Sequence, residues 1–300
     1  MNMLQVTDLQ KDYAEHRIIK HLDFMIQEGD CVALLGPNGS GKTTIIKMLL
    51  NIIKPTGGQI RFWGQCHDQY LHRIGYLPQH PTFYPWMTGI ELLTFMAGLS
   101  GIDKHALDQR INPLMERVGL SKDGHKRIST YSGGMKQRLG IAQALIHQPQ
   151  LLIMDEPVSA LDPLGRRDLL ELLKTLKQET TILFSTHVLH DAEELCNQIM
   201  ILKEGDLQFS GSMEEILLQN QQPIFVIQAP MAKEWAPRLV HPDIVDSITQ
   251  TESMAKVHVK NIEQGRIWLL ERIHCLQLPL KKFELVQESL EEIFVRMVKS

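Results

Sequence analysis

The sequence has no apolar run approaching the roughly 18–20 residues that a membrane-crossing helix needs, so no segment is expected to span a bilayer in that way. It has little cysteine. Cys31, Cys66, Cys196 and Cys275 are scattered, with no Cys-x-x-Cys pair. A disulfide scaffold is thereby excluded, and free, largely buried thiols in a reducing compartment are expected. The 13 histidines show no metal-ligand spacing, and His67 and His72 are expected at the surface without a task. There is no long basic run and the formal net charge is −4, so nucleic acid is not expected as a partner. The first residues, Met1-Asn-Met-Leu-Gln-Val, lack the basic start and apolar stretch of a secretory leader. What remains is 43% hydrophobic and 22% charged, an ordinary globular balance over 300 residues, enough for one large domain or two. A soluble, cytoplasmic chain is expected.

Against these absences, residues 36–44 read Gly36-Pro37-Asn38-Gly39-Ser40-Gly41-Lys42-Thr43-Thr44. The Gly-x4-Gly-Lys-Thr spacing is that of a phosphate-binding loop. Glycines let successive N–H groups turn inward toward β- and γ-phosphates, and a following helix adds its positive end. Lys42 places a cation on the same oxygens, and the Thr43 hydroxyl is suited to Mg²⁺. The context agrees: Cys31–Leu35 is a short apolar run that reads as a buried parallel strand, and Ile45, Ile46, Met48 and Leu49 give a following helix an apolar face.

A second apolar run, Leu151–Met154, ends in Asp155-Glu156. Carboxylates at the C-terminal end of a buried strand lie where open α/β sheets bind ligands. Asp155 is suited to hold Mg²⁺ and Glu156 to accept the proton of an attacking water. A third element, Tyr131-Ser132-Gly133-Gly134-Met135-Lys136-Gln137-Arg138, precedes a helical run from Leu139 to His147. Alone, Ser132-Gly133-Gly134 would be read as a helix cap and a backbone anion site.

Together the three resemble the ATP-binding cassette (ABC) ATPase family, and further matches follow in the family's order over roughly residues 1–210. The resemblance implies that Ser132, Gly133 and Gly134 meet the γ-phosphate of an ATP held by the other subunit of a head-to-tail dimer. Tyr13, 23 residues before Gly36, stands where the family stacks an aromatic on adenine. Gln79, in Ile74-Gly-Tyr-Leu-Pro-Gln-His, matches the loop that senses Mg²⁺ and the lytic water and also meets the membrane partner. Ser159-Ala-Leu-Asp162 resembles the loop crossing the dimer interface. His187, in Phe184-Ser-Thr-His, matches the switch histidine on the γ-phosphate. In the signature, Tyr131 and Met135 replace the commoner Leu and Gln. That form is similar to cassettes serving ABC-2-type exporters, and it removes one polar contact at position 135.

The expected organisation is an α/β, P-loop ABC ATPase core over residues 1–220, followed by a C-terminal accessory domain over 221–300. In the core, residues 1–30 read as an antiparallel opening, with Leu4–Val6 and Ile18–Ile26 alternating, and strand–helix alternation follows. A helical subdomain is inserted at about 87–148, and Leu161–Leu176 reads as a helix. Gln219-Asn-Gln-Gln-Pro223 reads as a linker. Beyond it the expected strands are Ile224–Ala229, Ile244–Thr249, Ala255–Val259 and Leu280–Val286. With helices at Met231–Leu239 and Ile262–Leu276, they give the β-α-β-β-α-β order of a small ferredoxin-like α+β unit. Its closing Ser-Leu-Glu-Glu-Ile-Phe-Val-Arg resembles the C-terminal domain of ABC-2-type exporter ATPases. The resemblance implies an ATPase subunit using ATP and Mg²⁺, forming a homodimer or a heterodimer with a second ABC ATPase subunit. An integral membrane permease would hold it at the inner face of the cell membrane, and Tyr84 and Trp86 are expected to touch that permease. Two readings stay open beside it: a soluble ABC ATPase acting on ribosomes or DNA, and a nucleotide-binding regulator with little turnover.

Overall fold

A computed structural model describes residues 2–14, 16–66, 70–159 and 161–299. β1 (Asn2–Tyr13), β2 (His16–Gln27), β4 (Gly57–Phe62) and β5 (Gln65–Cys66) form an antiparallel sheet in the order β2-β1-β4-β5. The alternation legible in the sequence turns Leu4, Val6, Leu22, Phe24 and Ile26 to the buried face.

The larger sheet has the order β10-β9-β3-β8-β7-β6. Its strands are β3 (Cys31–Leu35), β6 (Ile74–Leu77), β7 (Leu151–Asp155), β8 (Thr181–Thr186), β9 (Gln198–Lys203) and β10 (Asp206–Ser212). All neighbours run parallel except β10, which closes the edge antiparallel to β9. Every residue of β3, β7 and β8 is buried, which is why these strands read as nearly unbroken apolar runs. Helix α1 (Lys42–Leu49) sets Ile45, Ile46, Met48 and Leu49 into a core shared with residues of both sheets. In the parallel register Leu35 pairs with Thr186, and Asp155 with Ser185. The C-terminal ends of β3, β8 and β7 therefore line one edge.

Between β6 and β7 the chain inserts α2 (Gly89–Leu99), α3 (Leu107–Arg117) and α4 (Gly133–Leu145). Thr88 starts α2 with a reciprocal cap: its Oγ1 accepts the Glu91 N–H at 3.2 Å, and Glu91 Oε2 accepts the Thr88 N–H at 2.8 Å. α5 spans Pro163–Leu176 and begins two residues after the expected Leu161. Asp162 caps it through the Gly165 N–H at 3.3 Å, and proline suits the first turn, where its missing donor costs nothing. α6 (Leu189–Leu195) follows β8, and α7 (Met213–Gln219) follows β10.

The chain divides into two compact units, one reaching Met213 and resuming at Met297, the other Glu214–Arg296. In the second, β11 (Gln221–Gln228), α8 (Ala232–Trp235), β12 (Val245–Gln250), β13 (Met254–Val259), α9 (Ile262–Cys275) and β14 (Lys282–Gln287) follow in order, and α10 (Leu290–Lys299) comes after them. Its sheet, β12-β13-β11-β14, is antiparallel throughout, the ferredoxin-like arrangement expected. Phe225, Ile227, Trp235, Val257 and Leu269 form its core, with Phe283 stacked on Phe225 at 5.2 Å. The linker expected at Gln219–Pro223 is corrected: α7 ends at Gln219 and β11 begins at Gln221. Pro223, which has no N–H to donate, falls in the irregular stretch between the Gln221–Gln287 and Phe225–Leu285 pairs.

Candidate active site

The loop after β3 is shaped by two glycines. A Cβ on Gly36 would lie 2.5 Å from both the Leu202 carbonyl oxygen and Ser40 Oγ. Gly41 has φ +110°, and a Cβ there would meet Ile19 Cδ1 at 2.6 Å. The loop then delivers Lys42 to the first turn of α1. Its ammonium is buried and donates to the carbonyl oxygens of Gly36 at 2.7 Å and Pro37 at 3.1 Å. Burial pushes the Lys42 pKa down, and the neighbouring Glu156 and Asp155 carboxylates oppose the shift. Ser40 Oγ is buried without a hydrogen-bond partner among the described residues, and Thr43 is exposed. Such a loop, with an orphan hydroxyl, a buried cation and a helix N-terminus, fits a phosphate group.

Glu156 is the meeting point. Gln79 Nε2 donates to its Oε2 at 3.2 Å, His187 Nδ1 lies 3.3 Å from the same oxygen, and Lys42 Nζ lies 3.9 Å from Oε1. Gln79 comes from the loop after β6, His187 from the end of β8 and Lys42 from the first turn of α1. The structure thus brings together four predicted residues from four segments. Glu156 has φ +45°, a left-handed backbone that costs a non-glycine residue on the order of 1 kcal/mol or more. Ser185, across the β7–β8 register, holds it there: the Glu156 N–H donates to Ser185 Oγ at 2.9 Å and lies 3.2 Å from the Ser185 carbonyl oxygen. The Ser185 hydroxyl donates in turn to Asp155 Oδ1 at 2.6 Å.

Ser185 is a residue that sequence reasoning missed. Its only signal was its place in Phe184-Ser-Thr-His, and its role depends on strand pairing. Tyr76 was also missed: burial, with Asp155 nearby, raises its phenol pKa to about 12, so it stays neutral beside that carboxylate.

The other predicted residues stand apart. Among the described residues, no hydrogen bond or ion pair joins Tyr13, Ser132, Gly133, Gly134 or Asp162 to the Glu156 cluster. Tyr13 is 47% exposed, with Lys11 Nζ 4.8 Å from its ring centroid. Ser132 caps α4, its Oγ accepting the Met135 N–H at 3.3 Å. Ser159 Oγ donates to the Glu156 carbonyl oxygen at 3.1 Å, starting the loop that ends at Asp162, while Ala160 lies outside the described residues. His67 also lies outside them, and His72 is exposed. Of the thiols, Cys31 and Cys196 are buried with their sulfurs 3.6 Å apart, whereas Cys275 is exposed against expectation.

For a divalent cation the donors at hand are oxygens. Asp155 Oδ2 takes no hydrogen bond among the described residues, and Thr43 follows Lys42 in the first turn of α1. No group of three or more His, Cys, Asp or Glu side chains among the described residues could hold a metal. Two protein oxygens completed by phosphate and water is how Mg²⁺ is commonly bound, so the residues fit that ion.

Residues 19–159 match the family described as ABC transporter, and residues 211–298 match that described as ATP-binding protein DrrA1-3-like, C-terminal domain. The uncharacterized ABC transporter ATP-binding protein YxlF of Bacillus subtilis is 44% identical over 300 residues, covering 99% of each chain. The bacitracin transport ATP-binding protein BcrA of Bacillus licheniformis is 34% identical over 303 residues, covering 99% of this chain and 97% of BcrA. Among solved structures, an ATP binding subunit of an ABC transporter has a TM-score of 0.66 at 33% identity, covering 72% of this chain and 92% of its own. The cbiO1 protein of Clostridium perfringens, part of the ABC transporter complex cbiONQ, has a TM-score of 0.67 at 27% identity, covering 73% of this chain and 91% of its own. With the P-loop and the acidic strand end on one sheet edge and a relative matched from end to end, the chain belongs to the ATP-binding proteins of ABC transporters and is an ATPase.

Proposed function

We propose that this protein is the ATP-hydrolysing subunit of an ABC-2-type exporter, closing head-to-tail with a second ATPase subunit around two ATP and driving a separate permease. The observation that carries the transport reading is the match to BcrA, which runs through the C-terminal domain as well as the core; BcrA is named a bacitracin transport protein. The nucleotide-binding domain is assigned to residues 1–220, with its helical subdomain at about 87–148, and the accessory domain to 221–300. No helix of the described residues is long and apolar enough to cross a membrane, so the membrane passage falls to the permease. The chain is placed at the inner face of the cell membrane.

In this reading each residue has a role, and the Glu156 cluster supports the catalytic ones. The N–H groups of Gly36–Thr44 and the Lys42 ammonium bind the β- and γ-phosphates. Tyr13 stacks on the adenine. Thr43, Asp155 and Gln79 are the residues that would hold Mg²⁺, which when bound would supply positive charge against the phosphates. Glu156, aimed by Ser185, Gln79 and His187, accepts the proton of the attacking water. Ser132, Gly133 and Gly134, at the positive end of α4, meet the nucleotide of the partner, and Asp162 ends the loop at the shared interface. Tyr84 and Trp86 are 48% and 67% exposed, their rings 5.2 Å apart, and Phe95 meets Tyr84 edge-on at 6.5 Å. Aromatic side chains left in water beside the Gln79 loop suit a contact with the permease.

The test is to recover the tagged protein from detergent-solubilised membranes. A polytopic membrane protein should come with it and stimulate its turnover, and mutating Tyr84 and Trp86 to Ala should abolish that stimulation. Recovery only as a soluble species, or with ribosomes, would overturn the transport reading and leave the ATPase chemistry standing.

A further inference from the structure

Helices α5 and α6 leave the same edge of the sheet, after β7 and β8, and are laced together along their length. Near their starts, Arg166 donates through Nε at 2.9 Å and Nη2 at 2.5 Å to a single oxygen, Asp191 Oδ1. Near their ends, Lys174 donates to Glu194 at 2.7 Å, and Lys177 to the Leu195 carbonyl oxygen at 3.0 Å. The first rung differs from the others. The Asp191 side chain is wholly buried, and its Oδ2 has no hydrogen-bond partner among the described residues. An ion pair with its carboxylate buried and one oxygen orphaned is a poor device for stability alone, because apolar residues of similar volume commonly do as well or better.

Its position gives it another use. Arg166 lies one turn into α5, where its N–H donates to the carbonyl oxygen of Asp162 at 2.9 Å. Asp191 lies in the first turn of α6, four residues after His187, whose turn is pinned by the Val188 N–H donating to Thr186 Oγ1 at 3.0 Å. The rung therefore joins the end of the loop that starts at Glu156 to the end of the loop that brings His187 back to Glu156.

We propose that Arg166 and Asp191 are positioning residues for hydrolysis, holding the Asp162 loop and the His187 loop in one register so that a displacement of the first moves the second. The inference rests on the roles given above to Glu156 and His187. It has a direction: the Asp162 loop faces the second subunit in the proposed dimer, so its contact there is delivered to His187 and the Glu156 carboxylate through α5 and α6.

The test uses the full chain with Mg-ATP and three variants: the apolar pair Arg166→Met with Asp191→Leu, the isosteric Asp191→Asn, and His187→Ala as the reference. The apolar pair should fold, with a thermal midpoint at or above that of the parent. Its kcat should nevertheless fall by about tenfold or more while KM for ATP stays within about twofold, because what is lost is alignment rather than binding. Asp191→Asn should show the same split, and carries the test alone if the apolar pair does not fold. A folded variant that keeps kcat within about twofold of the parent, while His187→Ala is inactive, overturns the positioning role and leaves the site intact. Full turnover by His187→Ala overturns the reading of the site, and the positioning role with it.

Discussion

Glu156 has Gln79 at 3.2 Å, His187 at 3.3 Å and Lys42 at 3.9 Å, all arriving from other segments, and a backbone that only outside support can hold. Replacing it with Gln keeps the shape and removes the carboxylate proposed as the proton acceptor. Turnover should fall by about 10²–10⁴, with nucleotide affinity retained in a titration. Turnover within about tenfold of the parent would put the base elsewhere. Ser132 can be tested against its simpler role as a helix cap. Glycine at an N-cap costs only a few tenths of a kcal/mol relative to serine, so Ser132→Gly should barely shift a urea unfolding curve. If the hydroxyl contacts nucleotide, turnover should drop all the same; unchanged turnover returns Ser132 to capping. Legibility at this scale followed chemistry. Gly36, Gly41 and Lys42 were readable because few residue types fit a phosphate cradle, and Asp155 and Glu156 because acids rarely end an apolar strand without a reason. Ser185 and Asp191 were not readable. Serine and aspartate are ordinary in any sequence, and their partners lie 30 and 25 residues away, joined only by folding.

At the scale of elements, the apolar runs of β3, β7 and β8 were readable because a strand covered on both faces has no polar alternation to confuse it. The segment around Pro223 was misread because polar composition and proline signal a break, while the pairing partners that make it a strand, in β13 and β14, come much later in the chain. One contact between elements carries a pH signature. His147 follows α4, and its Nε2 lies 3.2 Å from the Ile74 carbonyl oxygen in β6. Burial holds its pKa below the ordinary 6.5, while the hydrogen bond to Ile74 opposes the shift and His72 adds to it. The unfolded chain therefore takes up this proton more readily than the fold. Stability should decline as pH falls through 6.5 and stop declining, from this group, once below the folded value. His147→Gln should flatten that decline when urea unfolding is compared at about pH 7.5 and about pH 5.5. Parallel declines in parent and variant would remove His147 as the cause.

At the scale of the whole molecule, the C-terminal ferredoxin-like unit was legible as an order of elements and in its closing Ser-Leu-Glu-Glu-Ile-Phe-Val-Arg, and residues 211–298 match the DrrA1-3-like C-terminal domain. The larger unit is different: it carries the Glu156 cluster on one sheet edge, while Ser132–Gly134, also suited to phosphate, makes no hydrogen bond or ion pair to that cluster among the described residues. Two such surfaces on one chain are both used if two chains meet head-to-tail, each closing the other's site, which is the closed twofold arrangement that homo-oligomers favour. The measurement that tests this most directly is the mass of Glu156→Gln by light scattering, with and without saturating Mg-ATP. The dimer mechanism predicts a shift from the mass of one chain to twice that mass, reversed by removing the nucleotide. A variant that binds ATP and keeps the mass of one chain would contradict it.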